Sequence, residues 1–412
     1  MKQITKDSQT FWWIVLIMFA SEFLSQNINF IILVLVFIYL FMLNGFKVSF
    51  NMPGKTVYLV FILMGMLTGI MYVTQYGHSQ YVFFKHIYFC IMVPLYWIDG
   101  FLMIKVKNIS RIGVVKSIIF GAIVYSLYDL FKVLTRLSEI SGLSIYYFRN
   151  LVGGVSIVPI IGLYLLFFYG SDLKIYKTER VLFYLIFSLS VLVHFSRISI
   201  VELSIFILFS GIKFNIKKII RIVIMMTMGV ALMSFVLPNV FVGFYEKILN
   251  SLTELSFNKS VWTHNDIVTN WRGYEAFCAI QQFNNSGIIK QLFGSGFGTF
   301  IDVKGYAYLV TKEENLSMLH NGYFSILIFW GLSGVVLFFG WIISIFRCNK
   351  DIIYRQDQCF VKGMSVLLLF VNYFIMGPFF SRNVACYLFY ISLFYSLSVI
   401  NKYSIKNNSK TE

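Results

Sequence analysis

Long apolar runs, repeated through almost the whole chain with only short polar breaks, constrain this sequence more than any motif in it. A helical run of about 17–25 apolar residues matches the hydrocarbon thickness of a bilayer, and a backbone in hydrocarbon is satisfied only inside helices or closed barrels. Runs of this kind lie near residues 11–25, 28–43, 56–74, 81–104, 113–133, 151–170, 181–196, 198–212, 220–238, 319–346, 363–380 and 384–400. They predict an all-α polytopic membrane protein of about 12 transmembrane helices, with both termini on the same side. With 58% hydrophobic and 13% charged residues, the 412-residue chain has too much apolar surface for a water-soluble core.

One long polar stretch interrupts the pattern and organises the rest. The reading is nine helices in 1–238, a large loop over 239–318, three helices in 319–400 and a tail over 401–412. Lys and Arg concentrate in the short segments 105–116, 174–180, 213–221 and 347–362 and in the two termini, which marks those segments as cytoplasmic. The large loop then faces outward, and the net charge of +16 is a topology signal rather than a footprint for nucleic acid. No cleavable signal peptide is expected, because Met1 to Thr10 is short and charged and no small-residue cleavage site follows. Of the five cysteines only Cys278 falls in the large loop, so no disulfide framework is implied. Within that loop, Gly243 to Asn258 and Asp266 to Asn284 have the periodicity of short amphipathic helices. The second sets Trp271, Tyr274, Phe277 and Cys278 at helical spacing, either as a substrate cleft or as a face lying on the outer leaflet.

Four features could carry chemistry. Arg272 lies on the polar face of a predicted helix with Glu275 three residues on; it either holds a phosphate or diphosphate through its planar fork or makes an exposed ion pair with Glu275. Gly294, Gly296 and Gly298 lack the spacing of a dinucleotide fingerprint and read as a tight turn. His320 and Asn321 stand at the mouth of the tenth span. The positive end of that helix would keep His320 neutral, so it is either a general base beside the aqueous face or a headgroup-level residue. His194-Phe195-Ser196-Arg197 is the only break between two nearly continuous spans, which puts Arg197 at the outer boundary or in a cavity. Lys85 with His86, Arg149 and Arg382 would complete a basic collar at the outer ends of their spans.

In this order, Ser196-Arg197, the basic segment Lys213 to Arg221, a loop carrying Arg272, Leu292-Phe293-Gly294-Ser295-Gly296-Phe297-Gly298, His320-Asn321-Gly322-Tyr323-Phe324 and Gly331-Leu332-Ser333-Gly334 resemble the O-antigen polymerase and ligase superfamily of bacterial polysaccharide assembly. The resemblance covers roughly residues 181–346. It implies metal-independent, cofactor-free, inverting glycosyl transfer at the outer face of the bacterial plasma membrane, with a glycan on undecaprenyl diphosphate as donor. His320, Arg272 and Arg197 would be catalytic. Asn321, Tyr323, Glu275, Trp271, Gly296, Gly298, Lys85, Arg149 and Arg382 would bind substrate. The partners implied are the lipid-linked oligosaccharide, the bilayer and a chain-length regulator. A polymerase joining repeat units is favoured over a ligase that transfers the glycan to a lipid A core. A flippase for the same lipid is disfavoured, because transporters gather polar groups near the midplane.

Overall fold

Every apolar run that the structure covers is helical, as a backbone without access to water must be. The computed structural model describes residues 2–47, 51–75, 77–107, 109–136, 156–170, 172–194, 196–209, 227, 231, 234–235, 238–249, 259, 261–311, 314–374 and 382–408. The helices are α1 (Lys2–Phe23), α2 (Gln26–Leu43), α3 (Lys55–Tyr72), α4 (Gln80–Lys107), α5 (Arg111–Thr135), α6 (Val158–Tyr169), α7 (Lys177–Val193), α8 (Arg197–Phe209), α9 (Pro238–Leu249), α10 (His264–Thr269), α11 (Trp271–Asn284), α12 (Ile288–Phe293), α13 (Gly322–Arg347), α14 (Arg355–Phe374) and α15 (Arg382–Asn408). Among the described residues, five stretches, Gln26–Leu43, Lys55–Tyr72, Gln80–Val106, Arg111–Thr135 and Gly322–Asp351, are long and apolar enough to cross a membrane. Phe11–Phe23, Val158–Tyr169 and Ala385–Ile400 are shorter apolar helices. This is a multi-pass helical membrane protein. Most of the expected run near 220–238 lies outside the described residues.

Two expectations for the loop change in detail. The single helix read over 266–284 is two, because Asn270 leaves helical geometry (φ −119°, ψ 44°) between α10 and α11. The helix read over 243–258 starts earlier, at Pro238, and is described to Leu249, with 250–258 outside the described residues.

Contacts divide the chain into two compact units. In the first (Met1–Ile32, Met103–Asn250, Tyr354–Gly363), α5 packs against α1, α6 and α7. Small residues set the spacing: a Cβ on Gly121 would come within 2.8 Å of Met18, and one on Gly162 within 2.8 Å of Ala122 and 2.9 Å of Phe187. An ionic cluster ties helix ends together. Arg111 donates from Nη2 to Asp357 Oδ1 at 2.8 Å and to Gln356 Oε1 at 2.9 Å, and from Nε to Asp357 Oδ2 at 3.0 Å. Tyr169 donates to the same carboxylate, and the guanidinium lies 4.7 Å and 4.2 Å from the ring centres of Tyr169 and Tyr354.

The second unit (Leu33–Leu102, Ser251–Ile353, Met364–Glu412) is built on α3 and α13. Phe61 and Trp330 stack at 4.1 Å, while Trp330 Nε1 donates to the Phe61 carbonyl at 2.7 Å. A kink at Gly331 (φ 64°, ψ −162°) breaks the ladder of α13. The carbonyls of Ile328 and Phe329 then accept from Ser295 N at 2.8 Å and Gly296 N at 3.0 Å, so the turn 294–298 supplies the hydrogen bonds that the kink removes. α11, α12 and the segments 294–304 and 314–321 form a cap over the C-terminus of α3 and the N-termini of α4 and α13. Ser79 N donates to Gly298 O at 2.9 Å, Phe300 N to Gly77 O at 2.8 Å, and residues 301 and 316 bridge.

Candidate active site

A buried carboxylate meets the histidine at the start of α13. Asn321 is the N-cap of that helix, its Oδ1 accepting from Tyr323 N at 3.0 Å and Phe324 N at 3.4 Å, which turns the chain just after His320. Leu319, fully buried, anchors the other side. His320 N donates to Glu275 Oε2 at 3.1 Å, and His320 Nδ1 lies 2.9 Å and 3.1 Å from the two carboxylate oxygens. Glu275 comes from the first turn and a half of α11, whose first residue Trp271 donates from Nε1 to Glu275 Oε1 at 2.6 Å.

This geometry assigns the tautomer. An ionised carboxylate can only accept, so Nδ1 carries a proton in this contact, and in the neutral ring the lone pair then lies on Nε2. The His320 side chain is 29% exposed and that of Glu275 is 2% exposed, so the ring is open to solvent while its carboxylate partner stays shielded. Nearby titratable groups do not compete. Burial pushes the Cys278 thiol up to about 11 and raises the Tyr274 phenol, whose hydroxyl donates to Val303 O at 3.2 Å.

The remaining residues singled out in the sequence distribute as follows. Arg272 is half-buried on α11, three residues before Glu275 and therefore on the same side of the helix. Glu275 is not half of an exposed ion pair: it is 1% exposed, and its oxygens accept from Trp271 and His320. Tyr323 donates to Leu369 O at 2.8 Å and stacks on Phe339 at 5.8 Å, which commits it to packing. Gly296 and Gly298 are buried, and a Cβ on Gly296 would fall 2.0 Å from Gly69 N. These glycines shape the chain path and leave no space for substrate.

The collar is only partly basic. Lys85 Nζ donates to Ser317 Oγ at 3.2 Å. His86 is fully buried, accepting at Nδ1 from Gly298 N at 3.2 Å and donating from Nε2 to Ser317 O at 3.0 Å, so hydrogen bonding holds it as a neutral ring. Arg149 lies outside the described residues, and Arg382 opens α15.

In the first unit, Arg197 is half-buried as the first residue of α8. The turn before it is held by a pair that inspection of the sequence missed: His194 Nε2 lies 2.8 Å from Asp129 Oδ2, which also accepts from Ser190 Oγ at 3.2 Å. All three are buried. Asp129 stands 65 positions before His194, and its place inside an apolar run was the only signal available.

Residues 182–339 match the family model described as O-antigen ligase, and no curated protein matches the chain. The match includes Arg197, Arg272, Glu275, the turn 294–298, His320 and the Gly331 kink. Over these residues the chain is similar to the O-antigen polymerase and ligase superfamily.

Proposed function

We propose that the protein is a polysaccharide polymerase that joins oligosaccharide repeat units carried on undecaprenyl diphosphate at the outer face of the plasma membrane. The observation that carries this reading is the Glu275–His320 dyad, a shielded carboxylate on Nδ1 of a ring that is itself 29% exposed. In the proposed step an acceptor hydroxyl oxygen attacks the anomeric carbon of the donor and its proton passes to His320 Nε2. The bond from that carbon to the diphosphate oxygen breaks, its electron pair leaves with the diphosphate, and the single displacement inverts the anomeric centre. Diphosphate is a good leaving group, so the protein has to supply a base and cationic stabilisation of the departing charge. His320 takes the first role. Arg272 takes the second.

Deletion and complementation with His320→Ala test the reading. General-base assistance is worth about 10²–10⁴ in rate, so this variant should make no detectable polymer while lipid-linked single repeats accumulate. A normally inserted His320→Ala protein making polymer at wild-type rate would remove the histidine from the mechanism. The matching family description favours a ligase as the second reading. A ligase would instead leave finished polymer on its lipid carrier and empty the lipid A core of glycan.

A further inference from the structure

The cap holds a concavity whose lining includes neither member of the dyad. It is a cleft of about 850 Å³ between α11, α12, the segment 299–304 and the loop after α3, within the usual size range of small-molecule sites. Its wall is rich in neutral hydrogen-bonding groups, with the carboxamides of Gln281, Gln282, Asn285 and Asn315, and it includes the rings of Tyr72 and Phe300. Gln282 is spent on the fold, donating to Phe300 O at 3.0 Å and accepting from Asp302 N at 3.3 Å. Among the described residues, the side chains of Asn285 and Asn315 make no hydrogen bond within the protein, and each can both donate and accept.

The charges of the cleft are already engaged. Lys290 Nζ donates to Gln75 Oε1 at 3.0 Å and sits 4.4 Å from the Tyr72 ring centre. Lys304 Nζ donates to Gln281 Oε1 at 2.7 Å and lies 5.3 Å from the Phe277 ring centre. Asp302 offsets one of the two, and no arginine lines the wall. Such a surface suits a ligand that donates and accepts many neutral hydrogen bonds while presenting flat C–H faces to aromatic rings. That is the chemistry of an uncharged saccharide, not of a phosphate.

We infer that this cleft binds neutral sugar residues of the glycan remote from the reacting end. The inference rests on the reading of the protein as a glycan-transferring enzyme and adds a second binding site to it. Both segments that hold the dyad run on into the cleft wall. α11 continues from Glu275 through Cys278 to its C-cap Asn285, a rise of about 15 Å, and Asn315 precedes His320 by five residues. A chain of sugars anchored in the cleft would thereby be oriented along α11, and binding energy gathered away from the reacting atoms could be used there.

The test uses full-length protein in lipid nanodiscs and saturation-transfer NMR. The probes are free neutral hexose and N-acetylhexosamine oligosaccharides of roughly two to four sugars, with inorganic pyrophosphate as competitor. At least one saccharide should bind, with affinity indifferent to salt because no ion pair forms. The double variant Asn285→Ala, Asn315→Ala should weaken it by roughly tenfold or more, as expected of two lost hydrogen bonds, while His320→Ala leaves it unchanged. No binding by any probe, equal binding by the double variant, or displacement by pyrophosphate would each overturn the inference. The proposed reaction fails separately: polymer made normally by His320→Ala would sink the transfer mechanism while leaving saccharide binding in the cleft intact.

Discussion

At the scale of single residues, the arrangement around Glu275 explains why one buried carboxylate can be kept in an otherwise apolar cap. Its two oxygens accept three hydrogen bonds, from Trp271 Nε1, His320 N and His320 Nδ1. Burial without them would cost several kcal/mol. Glu275→Gln keeps the size but points an amide N–H₂ at groups that are themselves donors. It should lower transfer by about 10²–10⁴ through loss of the Nδ1–H tautomer. Trp271→Phe removes one donor and leaves the dyad, so it should cost stability of about 1.5–3 kcal/mol and far less activity. Polymer yield against membrane protein level separates the two, and equal activity loss in both would refute the orienting role. Arg272→Lys gauges the fork: a bidentate contact to diphosphate should not survive it, whereas a requirement for charge alone would.

Among elements, the close fit of the turn 294–298 against α3 and kinked α13 predicts where the second unit is least tolerant. Gly296 has φ 78° and Gly331 φ 64°, the left-handed region, and each is backed by another segment's backbone. Gly296→Ala should destabilise by about 2–5 kcal/mol from backbone strain plus overpacking. Thermal unfolding in detergent would register it. Gly287, with nothing within 4 Å of an added Cβ, serves as a tolerant control. In the first unit, Asp357→Ala would strand the Arg111 guanidinium and should cost about 3–5 kcal/mol, the usual cost of breaking a buried pair. A loss below about 1 kcal/mol would mean the cluster is dispensable.

For the whole molecule, orientation follows from the distribution of Lys and Arg across the short connecting segments. A reporter active only outside the cytoplasm, fused after Asn285, should be active, and one fused within 213–221 should be silent. The reverse pattern would place the dyad and the cleft in the cytoplasm, away from a substrate presented outside.

Membrane class, helical architecture and most helix positions were legible in the sequence, because a 30 Å apolar slab leaves a chain few choices beyond a run of suitable length. The helix start after His320 and the glycine turn were also legible, the first from the return of apolar residues after the long polar stretch and the second from its glycine spacing. Pairing was not. Glu275 and His320 are 45 positions apart, Asp129 and His194 are 65 apart, and Arg111 and Asp357 are 246 apart. Nothing in local periodicity or charge says which buried polar group finds which partner. The same limit hid that the tight turn read over 294–298 satisfies the kink in α13. It also hid the amide-lined cleft, whose wall is assembled from segments near residues 72, 285, 300 and 315. Solvent exclusion thus determined from sequence alone that helices form and roughly where. Only the packed tertiary structure decided which hydrogen bonds close, because that depends on the distances between chain segments far apart in sequence.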